Sequence, residues 1–525
     1  MVANSAGGFA FAVDDWARLR RFLILGAEGG TYYIGEKELT IGNAEAVLRC
    51  IKEDGIGVVD TIVDVSKGGR APKNDPALFA LAMCAGLGNE NTKRHALNAL
   101  PEVARIGTHL FTFAEYVQAF RGWGRSLRRA VGEWYTTKEP KQLAYQLVKY
   151  QQRNGWSHRD LLRLSHPKSD EHNVLFNWVT QGPGEGTHFD LPVNEATRLI
   201  YAFERAKTAD EAETIELIID YGLTREMIQT KHLNSADVWF ALLQNMPMTA
   251  MIRNLGKMTQ VGLLGDGRWD SNKIVQDRLR DSVRLAKARI HPLNVLVALR
   301  TYDSGGGYRG KLVWNPSRDI VSALNDAFYL AFDGVYPTGR RFVLGVDVSS
   351  SMSATIGNTV LSAAEAAVAM AMVIRRTEDQ AIIRGFAGGE RRYSDPLQGP
   401  NYDGFMDLGI SRETRLESAM ERTRNKNFGR TDCALPMLWA LKNEVEADVF
   451  CIFTDSETWV GKIHPVQALQ QYREKMNIPA KLIVVAMTSN GFSIADPNDG
   501  GMLDVVGFDT SIPQVMADFI GISGP

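Results

Sequence analysis

A chain of 525 residues, 45% apolar and 23% charged, is long enough for two to four domains with large cores, which excludes a disordered or fibrous protein. Its four cysteines (Cys50, Cys84, Cys433 and Cys451) are scattered, with no Cys-x-x-Cys pair, which excludes a disulfide-framed secreted domain and fits a reducing compartment. The net charge of −2 hides two basic blocks, with 13 Lys/Arg against 5 Asp/Glu in residues 91–165 and 12 against 5 in residues 251–314, so an otherwise acidic chain carries local polyanion-binding surfaces.

The N-terminus shows no basic segment followed by an apolar core, and the segment before Trp16 is expected to be poorly ordered. The longest apolar helical stretch, residues 363–374, is too short to span a bilayer and contains Glu365. A cytoplasmic protein with no membrane partner is the expectation. From Trp16 to about Gly334 the pattern is helix after helix, for example at 44–52, 76–85, 114–120, 143–152, 194–207, 235–245 and 281–287. Gly, Pro, Asn and Asp punctuate them, and strand-type alternation is nearly absent. No clean internal period emerges.

The richest basic segment, RGWGRSLRRAVGEWY, places Arg121, Arg125, Arg128 and Arg129 at i, i+4, i+7 and i+8, on one face of an expected helix. Trp123, Trp134 and Tyr135 lie close in sequence. Phosphate neutralisation beside aromatic stacking is nucleic-acid chemistry, although a solvated face with core aromatics reads the same way. Downstream, KYQQRNGWSHRDLLRLSHPK sets Lys149 and Arg153 one helical turn apart. Gly155 breaks that helix, and Ser157 with Asp160 forms a capping box for the next. Arg159, Arg163 and His166 then share the face opposite Leu161, Leu162 and Leu164, before Pro167 stops the helix. Further on, GGGYRGK at 305–311 is a near-match to a P-loop, but Leu312 stands where Ser or Thr belongs and no strand precedes it, so a mobile glycine loop is expected.

A boundary falls at VYPTGR (335–340), dividing a helical domain at 16–338 from an α/β domain at 339–525. Beyond it, expected strands at 342–346, 381–386, 449–454 and 482–487 alternate with helices such as 359–376, which means a parallel sheet covered on both faces. The first strand ends at Asp347, and Ser349 and Ser351 complete Asp-x-Ser-x-Ser. Thr431 lies in GRTDCALP before an apolar helix, and Asp455 ends the strand at 449–454. All three loops are expected at the carboxyl ends of parallel strands, where open α/β sheets take ligands. The donors are all oxygen, which suits a hard divalent cation, Mg²⁺ first and Mn²⁺ or Ca²⁺ as alternatives. A Ser turn that merely caps the following helix would look similar.

These five residues resemble the metal-ion-dependent adhesion site of von Willebrand factor A domains. The resemblance implies that Ser349, Ser351 and Thr431 bind the metal, with Asp347 and Asp455 bound directly or through water. One coordination position stays open for a partner's oxygen. A wider likeness rests on RLRRFLILGAEGGTYYIGEKEL, RNGWSHRDLLRLSH, ALLQNMPMTAMIRNLGKM and RGKLVWNP, in that order ahead of the metal-site domain. Together they resemble the Ro autoantigen (TROVE-domain) family over nearly the whole chain.

That resemblance implies a multidomain α + α/β fold, a ring of HEAT-like helical repeats closed by a von Willebrand factor A-type, Rossmann-like domain. It implies that the ring's outer surface binds small noncoding Y RNA, through Lys149, Arg153 and His166. It also implies that the hole takes single-stranded 3′ ends of misfolded RNA in RNA quality control. An exoribonuclease is an expected partner, and DNA is not. The stretch 18–38 is expected to help close the ring. No hydrolase, zincin or kinase motif set is present, so a binder rather than an enzyme is expected. The competing readings are a protein–protein adhesion scaffold that uses the metal site without RNA, and a metal-dependent phosphatase or nuclease.

Overall fold

The computed structural model describes all residues except 1, 4–8, 13, 26–35, 69–73, 183–194, 196, 289, 308–310, 335–336, 357–359, 387–403, 425–430, 456–462, 488–491, 497–498, 500, 507–515, 517–518 and 521–525. Residues 26–35 of the segment 18–38 and the tip of the glycine loop therefore fall outside the described residues. The chain opens with strands β1 (Val2–Ala3) and β2 (Phe9–Ala12), then α1 (Asp15–Leu25) and α2 (Glu36–Lys67). There follow α3 (Asp75–Leu87), α4 (Glu90–Asn98), α5 (Leu100–Val103), α6 (Gly107–Gln118), α7 (Arg125–Thr136) and α8 (Pro140–Lys149). A short hairpin of β3 (Gln152–Arg153) and β4 (Trp156–Ser157) leads into α9 (His158–Ser165) and α10 (Asn173–Gln181). Next come α11 (Arg198–Ala206), α12 (Glu211–Tyr221), α13 (Ala236–Asn245), α14 (Met248–Gln260), α15 (Trp269–Leu279), α16 (Ser282–Lys287), α17 (Pro292–Asp303) and α18 (Arg318–Leu330).

From there helix and strand alternate: β5 (Phe342–Asp347), α19 (Ala363–Thr377), β6 (Ala381–Phe386), β7 (Phe405–Asp407), α20 (Leu416–Arg424) and α21 (Leu435–Lys442). The chain ends in β8 (Val449–Thr454), α22 (Pro465–Met476), β9 (Lys481–Ala486), β10 (Phe492–Ser493) and β11 (Met502–Val506). It divides into two compact units, neither of them one continuous stretch. One comprises Met1–Asn43, Leu279–Ser304 and Val321–Pro525, the other Ala44–Arg278 and Gly305–Ile320.

The second unit is helical. Its helices pack mainly on near neighbours in sequence, α3 against α4 and α6, α7 against α9, and α12 against α11 and α13. Nearly every residue of α3 from Ala77 to Ala85 is buried, the pattern of a helix enclosed on all sides. Phe111, Phe113, Trp134, Tyr135 and Trp239 fill the core. Two of the motifs quoted above meet here. A Cβ on Gly256 of α14 would lie 2.7 Å from ring carbons of Trp314, so only glycine lets that ring seat against the helix.

The other unit is built on a six-stranded sheet in the order β11–β9–β8–β5–β6–β7, parallel except for the antiparallel edge strand β7. Every residue of β5 and β8 is buried, as expected when helices cover both faces. Val343, Phe450, Ile452, Leu482 and Val484 share a core with Met437 of α21 and Leu469 and Tyr472 of α22. Helix α19 packs against β5, β6 and β8, and starts at a capping box between Ser362 and Glu365. The N-terminal expectation is corrected for residues 2–3 and 9–12, the rest before Asp14 lying outside the described residues. β2 lies antiparallel to β1 and to β10, pairing Ala12 with Phe492 and Phe11 with Ser493.

Candidate metal centre and basic face

The sheet runs outward in both directions from the β5–β8 pair. Strands β6 and β7 follow on one side and β9 and β11 on the other, so the topological switch point falls between β5 and β8. Ligands of such sheets bind outside the carboxyl ends of the strands at that point. Asp347 closes β5 and Asp455 follows β8 directly. Both are buried, and so are Ser351 and Thr431, with Ser349 half-buried. One Asp347 oxygen accepts the Ser349 backbone N–H at 2.8 Å, and the other accepts the Thr454 hydroxyl at 2.8 Å. The hydroxyls of Ser349 and Ser351 are 3.0 Å apart. Thr431 stands on the connection between α20 and α21, so it does not follow a strand as expected. That connection reaches the strand ends all the same, because Cys433, two residues past Thr431, lies close enough to feel the charges of Asp347 and Asp455 and to meet the Thr454 side chain.

Burial and the nearby Asp455 carboxylate raise the pKa of Asp347. Burial also pushes Asp432 up to about 6, against the Ala434 N–H that it accepts. Two carboxylates in one buried pocket repel each other, and a cation there relieves both the repulsion and the desolvation. The Cys433 thiol is driven well up by burial and by Asp347, Asp432 and Asp455, so it stays protonated and offers no soft thiolate. The donor set therefore fits a hard cation bound by oxygen. Among the described residues no cluster of three His, Cys, Asp or Glu offers a softer alternative. Thr454, which orients Asp347, was not singled out in the sequence. It sits at the end of an apolar run, where a hydroxyl facing inward reads like any other strand residue.

In the helical unit the candidate residues divide. Helix α7 starts only at Arg125, so Arg121 is not on its face. Arg121 instead donates to the Ala85 carbonyl at 2.9 Å and to Ser126 Oγ at 3.0 Å. Arg125, Arg128 and Arg129 are exposed on α7, and Arg129 is paired with Glu133 at 2.8 Å. Of the aromatics, Trp134 and Tyr135 are core residues, while Trp123 is half-buried with its ring 5.4 Å from that of Trp156.

Lys149 and Arg153 do not share a helix. Helix α8 ends at Lys149, and Asn154 (φ 53°) and Gly155 (φ 76°) turn the chain into the β3–β4 hairpin that carries Arg153. Lys149 Nζ donates to Tyr145 Oη at 2.8 Å and lies 5.1 and 5.4 Å from the ring centroids of Tyr145 and Tyr150. Desolvation opposes its charge, but the Tyr145 hydroxyl, the flanking tyrosines and Glu226 together raise its pKa. Arg153 is 3.7 Å from Asp75 of α3.

The capping box of α9 is present, with Asp160 N donating to Ser157 Oγ and Ser157 N to Asp160 Oδ2. Arg159 and Arg163 are exposed on α9, and Arg163 donates to the Thr180 carbonyl at 3.2 Å. His166 is not on the α9 face. It caps the helix in the left-handed region (φ 47°, ψ 52°), exposed, while Pro167 packs 3.5 Å from where a Gly132 Cβ would stand. That contact sets His166 beside α7.

A helical body together with an A-type sheet whose switch point is lined by acidic and hydroxyl groups defines a TROVE-type protein. The TROVE domain model matches residues 2–301, and the Ro60 vWA domain model matches residues 341–520. The chain is 37% identical over 595 aligned residues to RNA-binding protein RO60 of Caenorhabditis elegans, covering 99% of this chain and 90% of that one. It is 40% identical over 526 residues to RNA-binding protein RO60 of Deinococcus radiodurans, covering 99% and 95%. The crystal structure of the Deinococcus radiodurans RO (RSR) protein superposes with a TM-score of 0.77 at 39% identity, covering 97% of this chain and 99% of that one. The chain belongs to the TROVE-domain (Ro) family.

Proposed function

We propose that this protein is a non-enzymatic RNA-binding scaffold. Small noncoding Y RNA engages the surface around Lys149, Arg153 and His166, and single-stranded 3′ ends of misfolded RNA are a second class of ligand. Family membership carries the reading, because relatives aligned over 90% or more of their length are named RNA-binding proteins. The chemistry of the basic face supports it. Lys149 is held between two tyrosines, so its charge and an aromatic edge are offered together. Arg125, Arg128 and Arg159 are exposed, without a hydrogen bond or ion pair among the described residues, and Arg163 uses only one donor on a carbonyl.

At the sheet, Ser349, Ser351 and Thr431 would hold a divalent cation, Mg²⁺ first, with Asp347 and Asp455 beside it. Bound there, the ion supplies a Lewis-acidic position for an acidic partner's oxygen. An exoribonuclease that receives bound RNA is the expected protein partner, and RNA quality control is the setting.

Isolation of the protein under native conditions and sequencing of the RNA it carries tests the proposal, together with filter binding of that RNA at several salt concentrations. Enriched small structured RNA, bound with an affinity that falls as salt rises, is the expected result. An RNA bearing a single-stranded 3′ tail should bind better than its blunt-ended form. No enrichment and no salt-dependent binding would leave the adhesion scaffold as the better account.

A further inference from the structure

Several cations of the helical unit are matched by a carboxylate. Lys67 pairs with Glu102, Lys93 with Glu90, Arg129 with Glu133, Lys141 with Glu195, Arg205 with Glu213 and Lys207 with Glu204. One group differs. Arg225 lies on the 3-10 turn Arg225–Met227 that follows α12, and Arg253 and Lys257 lie one turn apart on α14. None of the three has a carboxylate within ion-pair distance among the described residues.

Neutral amides hold two of these cations in place. Arg225 Nη1 donates to Asn254 Oδ1 at 3.3 Å, and its guanidinium lies 5.9 Å from the ring of the buried Trp239. Lys257 Nζ donates to Gln260 Oε1 at 2.7 Å and to Asn234 Oδ1 at 3.2 Å. Asn254 is itself anchored on the Ala250 carbonyl at 2.8 Å. Amide oxygens orient a cation without cancelling its charge, whereas a carboxylate does both. The ammonium keeps its third N–H, and the guanidinium keeps its other nitrogens. Desolvation and the neighbouring Arg225 charge lower the pKa of Lys257, the sign of a cation held next to another cation. Glu226, the acidic neighbour in sequence, acts electrostatically on Lys149 and Tyr150 of the face described above.

We propose that Arg225 and Lys257, with Arg253 at the edge, form a phosphate-binding site for a single-stranded RNA backbone, continuous through the turn at Arg225–Met227 with the Lys149 surface. This site rests on the RNA-binding reading and extends it to the second basic block. A phosphodiester places two non-bridging oxygens where a fork of N–H groups and an ammonium can share them, and it brings the negative charge that the cluster lacks. The contact is to backbone and carries no sequence information.

The test uses the full-length protein with a short, labelled, single-stranded oligouridylate, titrated at several salt concentrations. The double variant Arg225→Gln, Lys257→Gln is compared with Lys207→Gln, which removes a cation already matched by Glu204. The double variant should lose about tenfold in affinity. The slope of log affinity against log salt should flatten by about 1.4, from roughly 0.7 for each of two single-strand contacts. The Lys207 variant should match the wild type. In the wild-type protein the oligonucleotide should also protect Lys257 from amine acylation, a readout that does not depend on how well the variant folds. Unchanged affinity and slope in a folded double variant, or no protection of Lys257, overturns the site and leaves RNA binding elsewhere intact. Failure of the wild-type protein to bind any RNA overturns both the site and the reading beneath it.

Discussion

His158 ties the stability of the helical unit to pH. Its ring is fully enclosed in the core, edge-on to Phe111 at 4.6 Å and stacked at 6.2 Å with Trp134, and Nδ1 is 2.9 Å from the Tyr135 hydroxyl. A Cβ on Gly107 would sit 2.9 Å from Nε2, so the ring packs directly against the α6 backbone at that glycine. Burial pushes the imidazole down to about 3, with the Lys138 charge acting in the same direction. The unfolded chain protonates this residue near 6.5, and the folded protein keeps it neutral far below that. Between those values the unfolded state binds the extra proton, so stability is full above pH 6.5 and falls as the pH falls. From pH 6.5 to 4.5 the loss from this residue is about 2–3 kcal/mol, and any folded-state value below about 4 gives the same figure. That is a large share of the stability of an ordinary domain. Hydrogen exchange over α7 and α9, measured between pH 7 and 4.5 and corrected for intrinsic rates, reads it locally. His158→Gln will cost stability at neutral pH, but it should remove this residue's share of the pH slope in these helices, leaving the share of His109, which burial lowers to about 4. Equal slopes in the variant and the wild type would refute the assignment.

Two further expectations concern the sites. Lys149→Ala with Arg153→Ala should weaken structured-RNA binding and flatten its salt dependence by about 0.7–0.9 log unit per lost phosphate contact, checked by filter binding at 50 and 200 mM salt. An unchanged slope would remove that surface from the RNA interface. Asp347→Ala should abolish Mg²⁺ or Mn²⁺ binding measured by calorimetry, yet leave RNA affinity within about twofold, because the RNA-facing charges are on other elements. Retained metal binding in that variant would remove Asp347 from the site.

How much was visible in advance depended on how local each signal is. Asp347 and Asp455 could be read because each ends an apolar run of strand length, and a strand covered on both faces shows as such a run. The Ser157–Asp160 box could be read because both partners lie within one turn. The pairing of Lys149 with Arg153 by helical spacing failed at Tyr150, which leaves helical geometry (φ −117°, ψ 77°) and puts Arg153 on the β3–β4 hairpin that Asn154 and Gly155 turn. Edge strand β7 spans three residues and β2 four, too few for alternation to stand out from loop sequence. Trp314 against Gly256, and Arg225 beside Lys257, join positions tens of residues apart. No period or spacing marks such a pair in a single sequence.

The pairing of β2 with β10 sets a schedule for synthesis. Residues 9–12 leave the ribosome long before their partner at 492–493, about 480 residues further along the chain. At about 5–20 residues per second, the opening strand must wait on the order of half a minute to a minute and a half. The helical unit, whose residues all lie between 44 and 320, can be complete well before that. Assembly therefore closes a long loop, and the sheet-bearing unit is sealed only when β10 emerges to meet a waiting β2. Blocking the first dozen residues with a rigid fusion would thus act as a late lesion, sparing the helical unit and leaving β10 without its antiparallel neighbour.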